Sequence, residues 1–279
     1  MTKNNPIQGD EFIAGRDFLL PEGYSPETLH RVQRLLVEAG AEVSRILTKH
    51  GIDHFLGFGT LLGQVRHGGF IPWDDDFDFC LFDSDYPKAI DVLRQELSAE
   101  YIIHDRESDP NYFHAWARVR LLQTRVQSSD KYDPDNQKLR YQCLGIDLYP
   151  LTVLRSSQME QYRRTEKLLW WNRKKANGWI PDGAKPVDIS HLPEKNVTAF
   201  GDQMSGAWFF HLLDSLVPVE DIQPIGLGVF EDRQFPIPRR PESFLLSAYG
   251  PFEDLPPLSS RRPSHMSVSF TSENAESWR

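Results

Sequence analysis

The densest concentration of reactive side chains is Trp73-Asp74-Asp75-Asp76-Phe77-Asp78-Phe79. In a β-strand, successive side chains point to opposite faces. Asp76 and Asp78 would then share one face, while Phe77 and Phe79 enter the core. Two carboxylates side by side repel each other, and a hard divalent cation bound through carboxylate oxygens removes that cost. A solvated acidic turn explains Asp74 and Asp75 well, as residues that shape the turn or meet substrate. It explains Asp76 and Asp78 less well, because they sit inside an apolar strand. On this pattern alone a metal site and a solvated turn both stand. Upstream, Phe58-Gly59-Thr60 ends a strand with glycine and opens a helix with a hydroxyl residue. Such a turn offers backbone N–H groups and a hydroxyl to a phosphate. An anion cradle followed closely by an Asp-apolar-Asp strand supplies both parts that phosphoryl transfer needs.

The elements that must position these groups follow from periodicity. The 279 residues allow one large domain or two small ones. Ser25 caps a helix with Pro26 at its first position, and Leu29, Val32, Leu36, Val43, Ile46 and Leu47 recur at helical spacing until Gly51. Strands are expected over 52–58, 77–82, 101–104 and 144–149, and over 115–122 and 124–128 as a hairpin. Helices are expected over 86–97, 158–177 and 206–216, and a final strand and helix over 235–238 and 242–249. The tail after Pro263 is Ser-rich and is expected to be mobile. Interspersed helices and strands with a hairpin imply an α+β (mixed α/β) fold: a mixed central sheet flanked by helices, with a C-terminal helical extension.

Composition excludes several classes. Two cysteines, Cys80 and Cys143, make no disulfide framework, and no Cys/His grouping has zinc-site spacing. No segment has the apolar length of a membrane span, and the N-terminus lacks the apolar core of a secretory signal, so a cytoplasmic location is expected. A net charge of −9 argues against nucleic acid as a partner.

The run Gly57-Phe58-Gly59-Thr60-Leu61-Leu62-Gly63-Gln64-Val65-Arg66-His67, continued by Gly69-Phe70-Ile71-Pro72-Trp73-Asp74-Asp75-Asp76-Phe77-Asp78, resembles the signature of the LicD family. That family groups bacterial phosphorylcholine transferases with fukutin-like ribitol-phosphate transferases, within the nucleotidyltransferase-fold superfamily. Leu144-Gly145-Ile146-Asp147-Leu148-Tyr149-Pro150 and the segment from Phe235-Pro236 through Tyr249-Gly250 to His265 also resemble it. The resemblance implies a catalytic domain over 24–265, with about 155–230 a candidate acceptor-binding insertion and 266–279 the mobile tail. It assigns Asp76, Asp78 and Asp147 as catalytic and metal-binding, with Asp147 either sharing the metal or taking a proton from the acceptor hydroxyl. It assigns Gly59 and Thr60 to the donor phosphates, with Arg66, His67 and one of Arg118 and Arg120, which share a strand face, as further donor-binding candidates.

The expected cofactor is Mg²⁺ or Mn²⁺. The expected donor is a CDP-activated small alcohol such as CDP-choline, the acceptor a sugar hydroxyl of a surface or lipid-linked glycan, and the product CMP. A true nucleotidyltransferase releasing pyrophosphate, and a non-catalytic binding protein, are the alternatives. The basic, Trp-bearing stretch over 168–179 has three readings: core helix, acceptor wall, or peripheral contact with the inner face of the membrane. His54, His104 and His114 lack partners at ligand spacing and are expected to be non-functional.

Overall fold

The computed structural model describes residues 17–112, 114, 116–128, 138–151 and 217–270. The helices expected over 158–177 and 206–216, the Trp-bearing stretch over 168–179 and the segment 271–279 lie outside the described residues.

Helix α1, Pro26–Lys49, starts as the sequence requires: the Ser25 hydroxyl accepts a hydrogen bond from the Thr28 N–H at 3.1 Å, with Pro26 in the first turn. Its apolar stripe is buried from Leu29 to Leu47. Gly40 lets the helix approach the sheet, since a Cβ there would lie 3.0 Å from the Phe77 ring. Gly51 reverses the chain at φ 63. Strand β1, His54–Leu56, is shorter than the expected 52–58, because Phe58 already belongs to α2, Phe58–His67. Next come β2 (Phe77–Phe82), α3 (Tyr86–Glu96), β3 (Tyr101–His104), β4 (Ala117–Leu121), β5 (Thr124–Ser128) and β6 (Gly145–Leu151).

Five of these strands form one sheet in the order β1-β2-β6-β4-β3. β2 and β6 are parallel, and the other pairs are antiparallel. The sheet is thus mixed, as expected, with β2 and β6 at its heart. β2 is buried along its whole length, and Phe77 and Phe79 are fully enclosed.

Two expectations fail. β4 and β5 do not form a hairpin: β3 and β6 occupy both edges of β4, so β5 turns away at Thr124, whose hydroxyl donates to the Leu121 carbonyl. The segment after Pro263 is not a mobile tail where it is described. β9, His265–Phe270, pairs antiparallel with β5 and buries Val268, so each strand satisfies backbone groups the other would leave open. The C-terminal region carries α4 (Val219–Ile222) and α5 (Pro241–Tyr249), and also a hairpin of β7 (Gly226–Phe230) and β8 (Arg233–Ile237). Phe230 and Phe235 of that hairpin pack on Phe77, at ring distances of 5.4 and 5.5 Å. Among the described residues no helix is long and apolar enough to cross a membrane.

Candidate active site

The site is built where the N-terminus of α2 meets β2. The Gly57 N–H donates to the Asp78 carbonyl at 3.0 Å, and the Asp78 N–H donates to the Thr60 hydroxyl at 2.8 Å. A Cβ on Gly57 would sit 2.5 Å from the Cys80 sulfur, so only glycine lets the two segments touch. Phe58 is held at φ 41, a left-handed conformation costly for an aromatic residue and retained where the surroundings over-determine it. Its ring is wedged against Tyr149 and Phe244 at 4.9 and 5.7 Å. Thr60 is buried and braces β2.

Three carboxylates converge on Gly59. From the position a Cβ would take there, oxygens of Asp74, Asp78 and Asp76 lie 3.2, 3.8 and 4.0 Å away. Asp78 accepts the Gly59 N–H at the positive end of α2. Burial, then mutual repulsion, pushes the Asp74 and Asp78 carboxyls well above the ordinary carboxylate range. The same causes raise Asp76 to about 6, with Asp75 and Asp147 as the repelling charges. Among the described residues no ready-made cage of three His, Cys, Asp or Glu side chains exists. The donor set is nevertheless all oxygen and carries more negative charge than its protein surroundings neutralise, which suits a hard divalent cation.

Asp75, in the middle of the run, faces elsewhere. It is almost fully buried and accepts hydrogen bonds from the Tyr24 hydroxyl (3.1 Å), the Ser264 N–H (2.7 Å), the His265 N–H (3.2 Å) and the His265 ring (2.9 Å). It ties the start of β9 to the acidic turn. The sequence grouping of Asp76 with Asp78 against Asp74 with Asp75 is therefore redrawn: Asp74, Asp76 and Asp78 lie together, and Asp75 stands apart. Alternation by two was the signal, but only Asp78 lies within β2; Asp76, expected inside the strand, and Asp74 both precede it, and the alternation continues through them.

Asp147 joins through sheet register. It lies beside Asp78 across the parallel β2–β6 pair and opposite Arg118 across β6–β4. Its Oδ1 accepts from Arg118 Nε and from the Trp116 indole N–H, the latter at 2.7 Å. Burial opposes the Arg118 charge, but Asp147 more than offsets that and holds the guanidinium above its ordinary value. Arg120 points along the same face into the space left by Gly145, where a Cβ would come within 3.3 Å of its guanidinium. It donates to the Cys143 carbonyl (2.7 Å) and to His104 Nδ1 (3.1 Å).

The remaining candidates are placed as follows. Arg66 and His67 occupy the last turn of α2, at the opposite end from the carboxylates; Arg66 donates to the Phe252 carbonyl (3.1 Å) and to the His67 ring (3.1 Å). His54 is a core residue bonded to the Ser44 hydroxyl at 2.7 Å. His114 lies 3.4 Å from Arg118. Sequence reasoning did not single out Trp116 or Tyr249. Tyr249, at the end of α5, is 47% exposed and lies near Asp78, Asp74 and Asp76. No local spacing marks either residue, because both reach the site only through tertiary packing.

Residues 51–150, which contain all four site carboxylates, match the family described as LicD/FKTN/FKRP, nucleotidyltransferase domain. The chain is similar to the lipopolysaccharide cholinephosphotransferase LicD of Haemophilus influenzae, 27% identical over 261 residues that cover 80% of this chain and 90% of the relative. An uncharacterized protein of Rickettsia typhi is 46% identical over 128 residues, 43% of this chain and 39% of that protein. One of Rickettsia prowazekii is 24% identical over 152 residues, 48% and 51% respectively. The matched segment and the near full-length relative agree with the arrangement around Gly59: residues 51–150 resemble the LicD/FKTN/FKRP nucleotidyltransferase domain, and the chain as a whole is similar to a LicD-type transferase.

Proposed function

We propose that this protein transfers a phosphoryl-linked small alcohol, phosphocholine first among the candidates, from a CDP-activated donor to a sugar hydroxyl of a surface glycan, releasing CMP. The observation that carries the reading is the convergence of Asp74, Asp76 and Asp78 on the N-terminus of α2. The named activity of the Haemophilus influenzae relative supports the choline-phosphate and lipopolysaccharide classes. Mg²⁺ or Mn²⁺, held by Asp76 and Asp78 with Asp74 or Asp147, would neutralise charge developing on the donor phosphates.

The chain's own residues have separate tasks in this reading. The N-terminus of α2, the positive end of its dipole, attracts the donor pyrophosphate. Gly59 keeps that approach open, because a side chain there would press on Asp74. Thr60 fixes the backbone at Asp78, and with it the direction of the carboxylate. Asp147 stands beside Asp78 with one oxygen bonded, and either completes the ion's ligands or accepts the proton of the attacking hydroxyl.

The test is turnover of CDP-choline, CDP-ribitol and CDP-glycerol with Mg²⁺ or Mn²⁺ and a lipopolysaccharide acceptor, with nucleotide products separated by chromatography. CMP release that disappears in Asp76→Asn is expected. Pyrophosphate release from a nucleoside triphosphate would instead make the enzyme a nucleotidyltransferase, and failure to turn over any CDP-alcohol would remove the donor assignment.

A further inference from the structure

Trp116 is where the structure carries a role beyond that reading. Its indole is sandwiched between Tyr149 and His114, with ring centroids at 4.7 and 4.9 Å. Its backbone carbonyl accepts from the Tyr112 hydroxyl at 2.7 Å. A ring held on two sides and by its main chain has one orientation, and in that orientation its N–H points at Asp147 Oδ1, 2.7 Å away. Arg118 reaches the same oxygen, and its guanidinium lies 5.6 Å from the Trp116 ring centroid.

We propose that Trp116 and Arg118 form a two-donor clamp that fixes Asp147 as a one-oxygen ligand, with Oδ1 committed to the clamp and Oδ2 presented to the site beside Asp78. Trp116 is then a positioning residue for the reaction proposed above, on which this inference rests. A buried indole usually finds some acceptor, so the bare contact would also suit a packing role. Three features separate the two. The acceptor is the carboxylate registered against Asp78. The same oxygen takes the charged donor. The other oxygen accepts no hydrogen bond from the described residues. Two donors on one oxygen remove the freedom of a carboxylate to rotate, which is how groups behind a ligand orient it.

A double-mutant cycle tests the clamp on the full-length protein. Trp116→Phe keeps a ring in the sandwich and removes only the donor. It is expected to lower kcat about tenfold with the donor KM changed less than about twofold, and to weaken Mn²⁺ binding, measured by calorimetry, by about tenfold. In an Asp147→Asn background the same substitution is expected to change neither quantity, because its effect passes through Asp147. Equal losses in both backgrounds, or no loss from Trp116→Phe alone, would overturn the proposal. Should Trp116→Phe not fold, Arg118→Lys, which keeps the charge and loses the directed Nε–H, runs the same cycle with the same expected non-additivity. If the wild type turns over no CDP-alcohol, the donor reading falls by itself, and the Mn²⁺ arm of the cycle still decides the clamp.

Discussion

Two regions of one sheet face handle buried charge in opposite ways. At the α2–β2 junction, Asp74, Asp76 and Asp78 crowd together with few compensating groups, and all three carboxyls are pushed upward. One strand further in, each charge is bonded to a partner: Asp147 to Arg118, Arg120 to neutral His104, and His104 to Asp109. The second region is a completed structure. The first is stable only as far as the rest of the fold tolerates its repulsion, a cost that the divalent cation proposed for this site would remove.

The largest effect should come from breaking the uncompensated region. Asp78→Asn removes a charge that the fold accommodates at a cost while keeping an oxygen for the Gly59 N–H. Turnover should fall at least about a thousandfold. In chelator, however, the melting temperature should stay level or rise by about 2–4 °C, since roughly 1 kcal/mol of repulsion is relieved. Kinetics and scanning calorimetry of the same preparation check both halves. A variant that loses activity and melts well below the wild type would mean that Asp78 is a structural carboxylate.

The compensated region should respond with the opposite sign. Arg118→Met leaves Asp147 buried without its cation, and removal of one partner from such a pair costs about 3–5 kcal/mol. Urea unfolding should show that loss at pH 7. A stability within about 1 kcal/mol of the wild type would mean that Asp147 is solvated well enough to stand alone.

The contrast was only half legible in the sequence. The junction is local: Gly57 to Asp78 lie close along the chain, and alternation by two, the helix start and the apolar strand all report on it. Even there the strand argument stopped at Asp76, although Asp76 and Asp74 both precede β2 and the alternation that brings them to Gly59 runs on through the turn. The compensated row is not local. Arg118 faces Asp147 only because β4 pairs antiparallel with β6. Trp116 follows from the same pairing, and Asp75 bonds to His265, 190 residues away. The hairpin expected for β4 and β5 failed for the same reason: two β-prone segments joined by a short turn pair with each other unless another strand takes the edge first, and here both edges of β4 are taken.

The smallest predicted effect concerns the far end of the compensated row. His104 donates from Nε2 to Asp109 at 3.0 Å and accepts from Arg120 at Nδ1, so the ring is neutral and its tautomer is set by its neighbours. Burial first, and the Arg120 charge second, hold its pKa down to about 3. The other groups facing it are Arg118, Tyr112 and Tyr141. Burial alone would raise the Asp109 carboxyl, but the N–H groups of Arg140 and Asn111 and the His104 ring hold it below its ordinary value. A histidine whose folded value is depressed contributes stability that is complete above its unfolded pKa of about 6.5 and is lost as pH falls through that value toward 3. His104→Gln keeps a side-chain donor and acceptor without titrating. Wild type and variant should therefore have urea-unfolding free energies that run parallel above about pH 7. They should converge as pH falls from 6.5 to 4, by up to about 1.4 kcal/mol per pH unit. Asp109 acts in both proteins and cancels in the difference. If the two curves stay parallel down to pH 4, His104 takes up its proton as readily in the folded protein as in the unfolded chain, and the row would not hold a neutral link between Arg120 and Asp109.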